Sequence, residues 1–333
     1  MNSRRYSAGT RQCTVGRKMS SDRILNCTLR TAYCVLTLAL ASCGATAPAD
    51  LDTPTKGKIN FSVDENVQSL TTELVDAFEI SYPDAFLITS FKTENGVIND
   101  LYNDTARLAI MTRSLTADEL KYFEEGQKFS VDQIKIGSDA IVFVVNKENT
   151  DTAFTKETLR KILIGEDTLW TQVDSASRLG SIDVIFDNGA SSNFRYLTDS
   201  LMGGAKPGNN VFSASNVDSV IAYVARNPAA LGVIALNAIG DKDSPTAMNR
   251  KNQVKVCAVG FDSQAAYKPS QSAVVTRKYP FVRDIWIIKI GKRAGLGTGF
   301  ASFALGDRGQ LIVQRAGLAP AAPAERKVEL TTY

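Results

Sequence analysis

Short apolar segments alternate with stretches of helical periodicity along most of the chain. Residues 141–145 and 182–186 are continuous apolar runs, which is typical of strands buried on both faces. Between them, residues 156–164 show helical periodicity. Strands that alternate with helices predict an α/β fold. About 290 residues follow the N-terminal signal described below. A single small core rarely accommodates a chain of that length, so we expect two lobes.

The same patterns predict the remaining elements. Strands are expected at 58–63, 86–91, 108–111, 231–236, 253–259 and 285–290. Helices are expected at 67–80, 97–102, 215–226, 300–305 and 309–315, with further helices opening at the capping box 116–119 and at Phe194.

The N-terminal region has the composition of a bacterial export signal. Residues 32–41 are mostly apolar but too short to span a bilayer, and basic residues precede them. The run Leu40-Ala41-Ser42-Cys43 has the form of a lipobox. We predict a lipoprotein signal peptide at 1–42, a lipid on Cys43 and a flexible tether over the rest of 43–57.

These features predict an extracytoplasmic protein that is lipid-anchored to a bacterial membrane, in the periplasm or at the cell surface. An ordinary secretory signal, with Cys43 unmodified, is the alternative. Met19 is an alternative start, because it leaves a signal of normal length.

Composition excludes several classes of function. The whole chain carries 38 basic and 35 acidic residues, but the part after residue 42 carries 31 and 34, a net charge of −3. We therefore expect no nucleic-acid partner. The absence of histidine excludes Ser-His-Asp and Cys-His catalysis and every histidine-containing zinc site. We predict no metal, no cofactor and no enzymatic activity.

Cysteine usage excludes a disulfide framework. Only Cys257 follows Cys43, so one thiol remains for the folded part. It lies in an apolar stretch, and we expect a buried structural thiol.

Three predicted strand ends carry loops rich in hydroxyl and amide side chains. They are 62–66, 112–116 and 191–193, and most of them open a helix. Free backbone N–H groups at a helix N-terminus bind anions, and Arg113 or Arg195 could add a forked cationic contact. Because ligands of open α/β sheets bind at the carboxyl ends of strands, we predict an oxyanion site there. The candidate residues are Asp64, Glu65, Asn66, Thr112, Arg113, Ser114, Ser191, Ser192, Asn193 and Arg195. The alternative is that each loop only caps its helix.

Several motifs, in order and spacing, resemble one protein family. They are Tyr82-Pro83-Asp84-Ala85, the stretch from Arg107 to Arg113, the stretch from Asp187 to Tyr196, the region from Val224 to Ile234, Tyr279-Pro280-Phe281-Val282-Arg283, and the ending from Gly299 to Pro320. Over about residues 57–330 the chain resembles the phosphate-binding proteins of phosphate ABC transporters, in their lipid-anchored bacterial branch.

The resemblance implies a periplasmic binding protein fold of type II, with two α/β lobes joined by a two-stranded hinge and phosphate gripped between them. Lobe 1 would comprise 58–138 with 277–330, and lobe 2 would comprise 139–276. It also implies a monomer that delivers phosphate to the permease subunits of an ABC transporter and contacts the membrane only through its lipid.

The chain departs from the family pattern at two ligand positions. Phe186 stands where the family has an arginine, and Thr112 stands where it has an aspartate that accepts the proton of phosphate. Ser192 matches the family's hydroxyl position. Without the acceptor, discrimination of phosphate from sulfate would weaken. The alternatives are a different oxyanion and a binding or interaction lipoprotein whose pocket has another ligand or none. A phosphatase is disfavoured by the lack of histidine and of a clustered metal motif.

Overall fold

The computed structural model describes residues 52–322. The strands are β1 (Gly57–Asp64), β2 (Ala85–Lys92), β3 (Leu108–Met111), β4 (Val131–Val145), β5 (Ala153–Thr155), β6 (Asp183–Phe186), β7 (Val211–Ser213), β8 (Ala230–Ala235), β9 (Lys255–Val256), β10 (Ala258–Gly260), β11 (Val282–Ile290) and β12 (Ala319–Pro320).

The helices are α1 (Gln68–Ser81), α2 (Glu94–Tyr102), α3 (Ala117–Lys121), α4 (Lys156–Ile164), α5 (Trp170–Val173), α6 (Ser192–Ser200), α7 (Val217–Arg226), α8 (Pro245–Gln253), α9 (Gln271–Val275), α10 (Leu296–Leu305) and α11 (Asp307–Arg315). Short 3₁₀ turns cover Glu65–Val67 and Leu236–Ala238.

One mixed sheet organises the chain, with the strand order β2-β1-β3-β11-β4-β8-β6-β7. At one end, β1 pairs in parallel with β2 and β3, and at the other end β6 pairs in parallel with β7 and β8. The antiparallel strands β4 and β11 lie between these two parallel groups. The fold class predicted from the sequence, α/β with a mixed sheet flanked by helices, is confirmed.

Strand β4 belongs to both halves of the sheet. Its residues from Val131 to Ala140 pair with β11, and those from Ile141 to Val145 pair with β8. The chain passes the same point again just before β11, where Phe281 accepts a hydrogen bond from the N–H of Ile141 at 2.9 Å. The two passages support the predicted hinge, while the lobe boundaries stay a prediction.

The core follows the apolar segments that the sequence shows. Every residue from Ile136 to Val145 is buried, because sheet neighbours and helices cover both faces of β4. In the first half, the rings of Phe61, Phe78 and Phe300 meet edge to face, with centroids 5.1 and 5.5 Å apart. These contacts hold α1 and α10 on the sheet and position the strand ends.

Most predicted elements are present, and α4 and β3 have the predicted bounds. The predicted strand at 253–259 is wrong in two ways. Helix α8, which carries no strong apolar periodicity, runs through Gln253, and the strand is interrupted at Cys257. The interruption arises because β9 pairs with β4, whereas β10 pairs with β5 in a separate two-stranded sheet. Cys257 is fully buried, as expected.

The folded part begins earlier than predicted, because the last residues of the expected tether pack on the domain. The Asp52 carboxylate accepts a hydrogen bond from the N–H of Leu296 at 2.5 Å, and Arg293 donates to the Asp52 carbonyl at 2.7 Å. Thr53 and Lys56 form an isolated β-bridge. The predicted signal peptide, Cys43 and the first part of the tether lie outside the described residues. Within residues 52–322, no helix is long and apolar enough to cross a membrane.

Candidate functional site

The loops after β1 and β3 meet at Asp64. Its carboxylate accepts hydrogen bonds from the N–H of Asn66 at 3.0 Å and from the hydroxyl of Thr112 at 3.1 Å. Asp64 and Thr112 are almost completely buried. Because parallel strands end at one edge of the sheet, the two predicted loops come together as expected.

The loop after β6 joins this group from the other half of the sheet. Asn66 donates from its amide to the hydroxyl of Ser192 at 3.1 Å, and Asn193 donates to the amide oxygen of Asn66 at 2.7 Å. Ser192 and Asn193 are fully buried, and Ser191 caps α6 by accepting from the N–H of Phe194. The structure therefore brings Asp64, Asn66, Thr112 and the 191–193 loop into one polar cluster.

Two charged residues that the sequence analysis missed complete the cluster. Arg283 and Asp139 form an ion pair at 3.0 Å, with 1% and 0% of their side chains exposed. Arg283 also donates to the Ser192 hydroxyl at 3.0 Å, and Asp139 accepts from the N–H of Asn237 at 3.1 Å. The available signal was a charged residue at the end of an apolar run, because Asp139 directly precedes the apolar run 140–145 and Arg283 directly follows Phe281 and Val282.

Arg113 and Arg195, the predicted cations of the site, are paired with carboxylates instead. Both place Nε 2.7 Å from the same oxygen of Glu94 at the start of α2. Arg113 also contacts Glu119 at 2.7 Å, and Arg195 contacts Asp199 at 3.0 Å. Burial lowers the pKa of Arg113, but hydrogen bonds to Glu119 and Glu94 outweigh it and raise that pKa. Arg283 is thus the arginine whose guanidinium lies in the polar cluster, in hydrogen-bond contact with Ser192.

Ser114 and Glu65 lie at the margin of the cluster. The Ser114 carbonyl accepts from Arg113 at 2.9 Å, and this half-buried serine has no hydrogen bond to Asp64, Asn66 or Ser192 in the described part of the chain. The half-buried Glu65 accepts a long hydrogen bond of 3.4 Å from the amide of Asn188. Each residue is beside the cluster and outside its hydrogen-bond network.

Two carboxyl groups in or beside the cluster, Asp187 and Glu65, have raised pKa values. Burial and the nearby charge of Asp64 raise the pKa of Asp187, although hydrogen bonds from Ser191 and Asn193 and the charge of Arg283 oppose this. Burial, together with the charges of Asp187 and Asp64, also raises the pKa of Glu65. The site therefore combines the guanidinium of Arg283 and several hydrogen-bond donors with carboxyl groups whose pKa values are raised.

A cavity of about 550 Å³ opens beside the cluster. Its lining includes Asn66, Asp187, Asn193 and Asn237. The amide oxygen of Asn193 is buried without a hydrogen-bond partner among the described residues, since its NH₂ group is held by Asn66 and Asp187. An unpaired buried acceptor on a cavity wall suits a ligand that brings a hydrogen-bond donor. Within 52–322, no group of three or more acidic or cysteine side chains is arranged to hold a metal ion.

The chain is similar to several proteins whose names describe phosphate binding or phosphate transport. The phosphate-binding protein PstS of Borreliella burgdorferi is 26% identical over 234 residues, which cover 66% of this chain and 74% of that protein. An ABC-type phosphate transport receptor from Vibrio cholerae superposes with a TM-score of 0.62 at 19% identity, covering 79% of this chain and 100% of that chain. The structure of PstS from Borrelia burgdorferi gives a TM-score of 0.53 at 21% identity, covering 80% and 99%.

The solved structures establish the type II binding protein fold, and the resemblance to phosphate-binding proteins of ABC transporters is confirmed as a likeness. Residues 48–308 match the sequence model of a family described as the PBP superfamily domain. Because that match spans most of the chain, the protein belongs to the PBP superfamily.

Proposed function

We propose that this protein captures inorganic phosphate between two lobes outside the cytoplasm and delivers it to an ABC permease. One observation carries the proposal: Arg283, Ser192 and Asn66, from three distant parts of the chain, meet in a buried hydrogen-bond network at the strand ends. The relatives whose names describe phosphate binding and phosphate transport support the same ligand.

In the proposed complex, the phosphate oxygens take over hydrogen bonds that the side chains now make with one another. Arg283 supplies the positive charge, in place of the arginine that Phe186 replaces. Ser192, Asn66 and Thr112 supply neutral donors, and the N-terminus of α6 adds backbone N–H groups. Charge-assisted contacts of this kind are the strong ones, because guanidinium presents a planar fork of donors.

Selection of a protonated anion follows from the carboxylates. Asp64 lies in hydrogen-bond contact with Thr112, the position where the family's proton acceptor is replaced. Asp64 and Asp187 accept from a phosphate hydroxyl but repel sulfate, which carries no proton at neutral pH. On this proposal the acceptor has moved to the neighbouring strand end and phosphate specificity is retained.

Lobe movement and membrane attachment complete the proposal. We infer that lobe 1, 58–138 with 277–330, and lobe 2, 139–276, close about the two passages at β4 and before β11. The contacts of Asn66 with Ser192 and of Glu94 with Arg195 link residues of the two proposed lobes. A lipid on Cys43 would keep the monomeric protein near its permease.

Titration calorimetry of the purified protein with phosphate, sulfate and molybdate tests this function. We expect heat with phosphate, little with sulfate, and loss of binding in Arg283→Met. We expect retained binding in Arg113→Met, which removes an equal charge from the same region without breaking a contact between the lobes. Thermal unfolding of both variants controls for misfolding. No heat with any oxyanion contradicts the proposal.

A second candidate is an interaction protein of the same fold with another ligand or none. The observation in its favour is that several carboxylates surround a single arginine, which opposes a fully ionised anion. Under this alternative, Ser192→Ala and Arg283→Met leave the activity of the protein unchanged.

A further inference from the structure

A wide groove with a basic rim lies away from the polar cluster. It has a volume of about 1330 Å³ and runs between the end of α11 and the segments around β9 and α9. We call it the basic groove, defined by the five cations that line it: Lys242, Lys251, Lys255, Lys268 and Arg315. Asp243 is the one acidic residue of its lining, and it pairs with Arg315 at 3.3 Å. None of its lining residues is shared with the cavity beside Asn193.

The positive charge of the lysines in the basic groove is not neutralised by ion pairs with the described residues. Lys242, Lys251 and Lys268 are exposed and form no ion pair with the described residues. Lys255 donates to the backbone carbonyl of Asn149, at 2.9 Å. The chain after residue 42 has a net charge of −3, so this concentration of cations runs against the overall charge.

The floor of the basic groove is apolar and firmly packed. Leu236, Ile239, Val254 and Pro269 line it and are buried. Its two walls meet where Gly317 approaches Gly240. Gly317 has a φ of +77°, and a Cβ there would lie 2.6 Å from the Gly240 carbonyl oxygen.

One side chain joins parts of the chain that are far apart in sequence. The amide of Gln271 donates to the carbonyl of Leu318 at 2.6 Å and to that of Gln314 at 3.2 Å. These two hydrogen bonds connect the start of α9 with the end of α11 across the groove.

We propose that the basic groove binds an acidic segment of a partner protein. Its volume exceeds the roughly 300–1,000 Å³ usual for small-molecule pockets, which favours an extended occupant. Lysine ammonium groups act as point charges that suit glutamate and aspartate on a flexible segment, while the apolar floor accepts interspersed aliphatic side chains. The amides of Asn252 and Gln314 provide groups that pair with a peptide backbone.

The test uses a fluorescein-labelled peptide of alternating Glu and Leu, with fluorescence anisotropy of the purified protein as the readout. The variant Lys242→Glu/Lys251→Glu/Lys268→Glu removes the charge of the rim. The control Lys58→Glu/Lys121→Glu/Lys206→Glu makes the same change in net charge at exposed lysines outside the lining of the groove. Thermal unfolding establishes that both variants are folded.

We expect the groove variant to weaken peptide binding about tenfold or more, because charge reversal at a complementary rim is repulsive as well as disruptive. The control variant retains binding, added salt weakens the complex, and a Gln/Leu peptide does not bind. Equal losses in the two variants, or no binding of the acidic peptide by the unaltered protein, overturn the proposal. Binding of inorganic polyphosphate without binding of the peptide also overturns it. Phosphate calorimetry of the groove variant is expected to be unchanged, so the test is independent of the proposed function.

Discussion

The buried pair of Arg283 and Asp139 makes a quantitative prediction about stability. Both side chains are removed from water, and Asp139 accepts one further hydrogen bond, from the N–H of Asn237. Arg283→Met leaves the carboxylate buried without its cation. Breaking a buried ion pair in this way costs about 3–5 kcal/mol, because the remaining charge is uncompensated.

The double variant separates the interaction between Arg283 and Asp139 from the contribution of each residue alone. In Arg283→Met/Asp139→Asn neither position is charged, and the Asn237 contact remains possible through the oxygen of the introduced asparagine. Replacing both partners of a buried pair with neutral residues is often close to neutral. We therefore expect the double variant to be more stable than Arg283→Met, although the introduced methionine cannot donate the hydrogen bond that Arg283 makes to Ser192.

The assay is urea unfolding of the four proteins, namely the unaltered chain, both single variants and the double variant. We expect an interaction free energy of about 2 kcal/mol or more between the two positions, at the upper end of the range for residues in contact. An interaction free energy below about 0.5 kcal/mol would show that water screens the pair, and the assignment of Arg283 as a buried cation would fail.

Three further predictions rest on single residues. The raised pKa of Asp187 means that the folded state holds its proton more tightly than the unfolded state, so stability falls as pH rises through the interval between 3.8 and that raised value. Asp187→Asn should therefore increase the free energy of unfolding at pH 7, with the gain vanishing in acid, and a gain independent of pH would contradict this reasoning. Burial raises the pKa of the Cys257 thiol, so this thiol should be unreactive in the folded protein. In a chain starting at Gly44, we expect no reaction with a disulfide reagent at pH 8 until urea unfolds the protein. Rapid labelling of the native state would refute the burial. Gly317→Ala should destabilise the protein by about 1–2 kcal/mol because of the positive φ at that position. Gly180→Ala is the control, because the space around its new Cβ is open and no loss of stability is expected. Equal melting temperatures for the two variants would count against the close approach of Gly317 to Gly240.

Local sequence patterns were sufficient to predict the features that depend on a single helix or strand. The apolar run of 141–145 predicted a strand buried on both faces, and the capping box at Thr116 and Glu119 is present with both of its hydrogen bonds. Helix α8 was missed because its sequence is mostly polar, so no apolar stripe marks it. The interruption at Cys257 depends on two partner strands that no local pattern identifies.

The candidate site could likewise be predicted only in part, because some of its contacts join residues that are far apart in sequence. Loops at strand ends were predictable, because the topology of parallel strands brings their carboxyl ends together. Which arginine reaches the loops was not, since Arg113 and Arg195 are both close in sequence to the predicted donors and both turn to Glu94. Arg283 lies 91 residues from Ser192, and only the antiparallel pairing of β11 with β4 places it there.

The charge balance around Arg283 connects the proposed ligand with pH. A single guanidinium, already paired with Asp139, cannot offset Asp64, Asp187 and a divalent anion together. Phosphate lessens this conflict, because its proton can form a hydrogen bond to one of these carboxylates and turn repulsion into a contact. The raised pKa of Asp187 acts in the same direction, since a carboxylate with a higher proton affinity is a better acceptor for the proton of phosphate. The surplus of acidic groups is thus compatible with an anion site, provided that the bound anion and the carboxylates share protons.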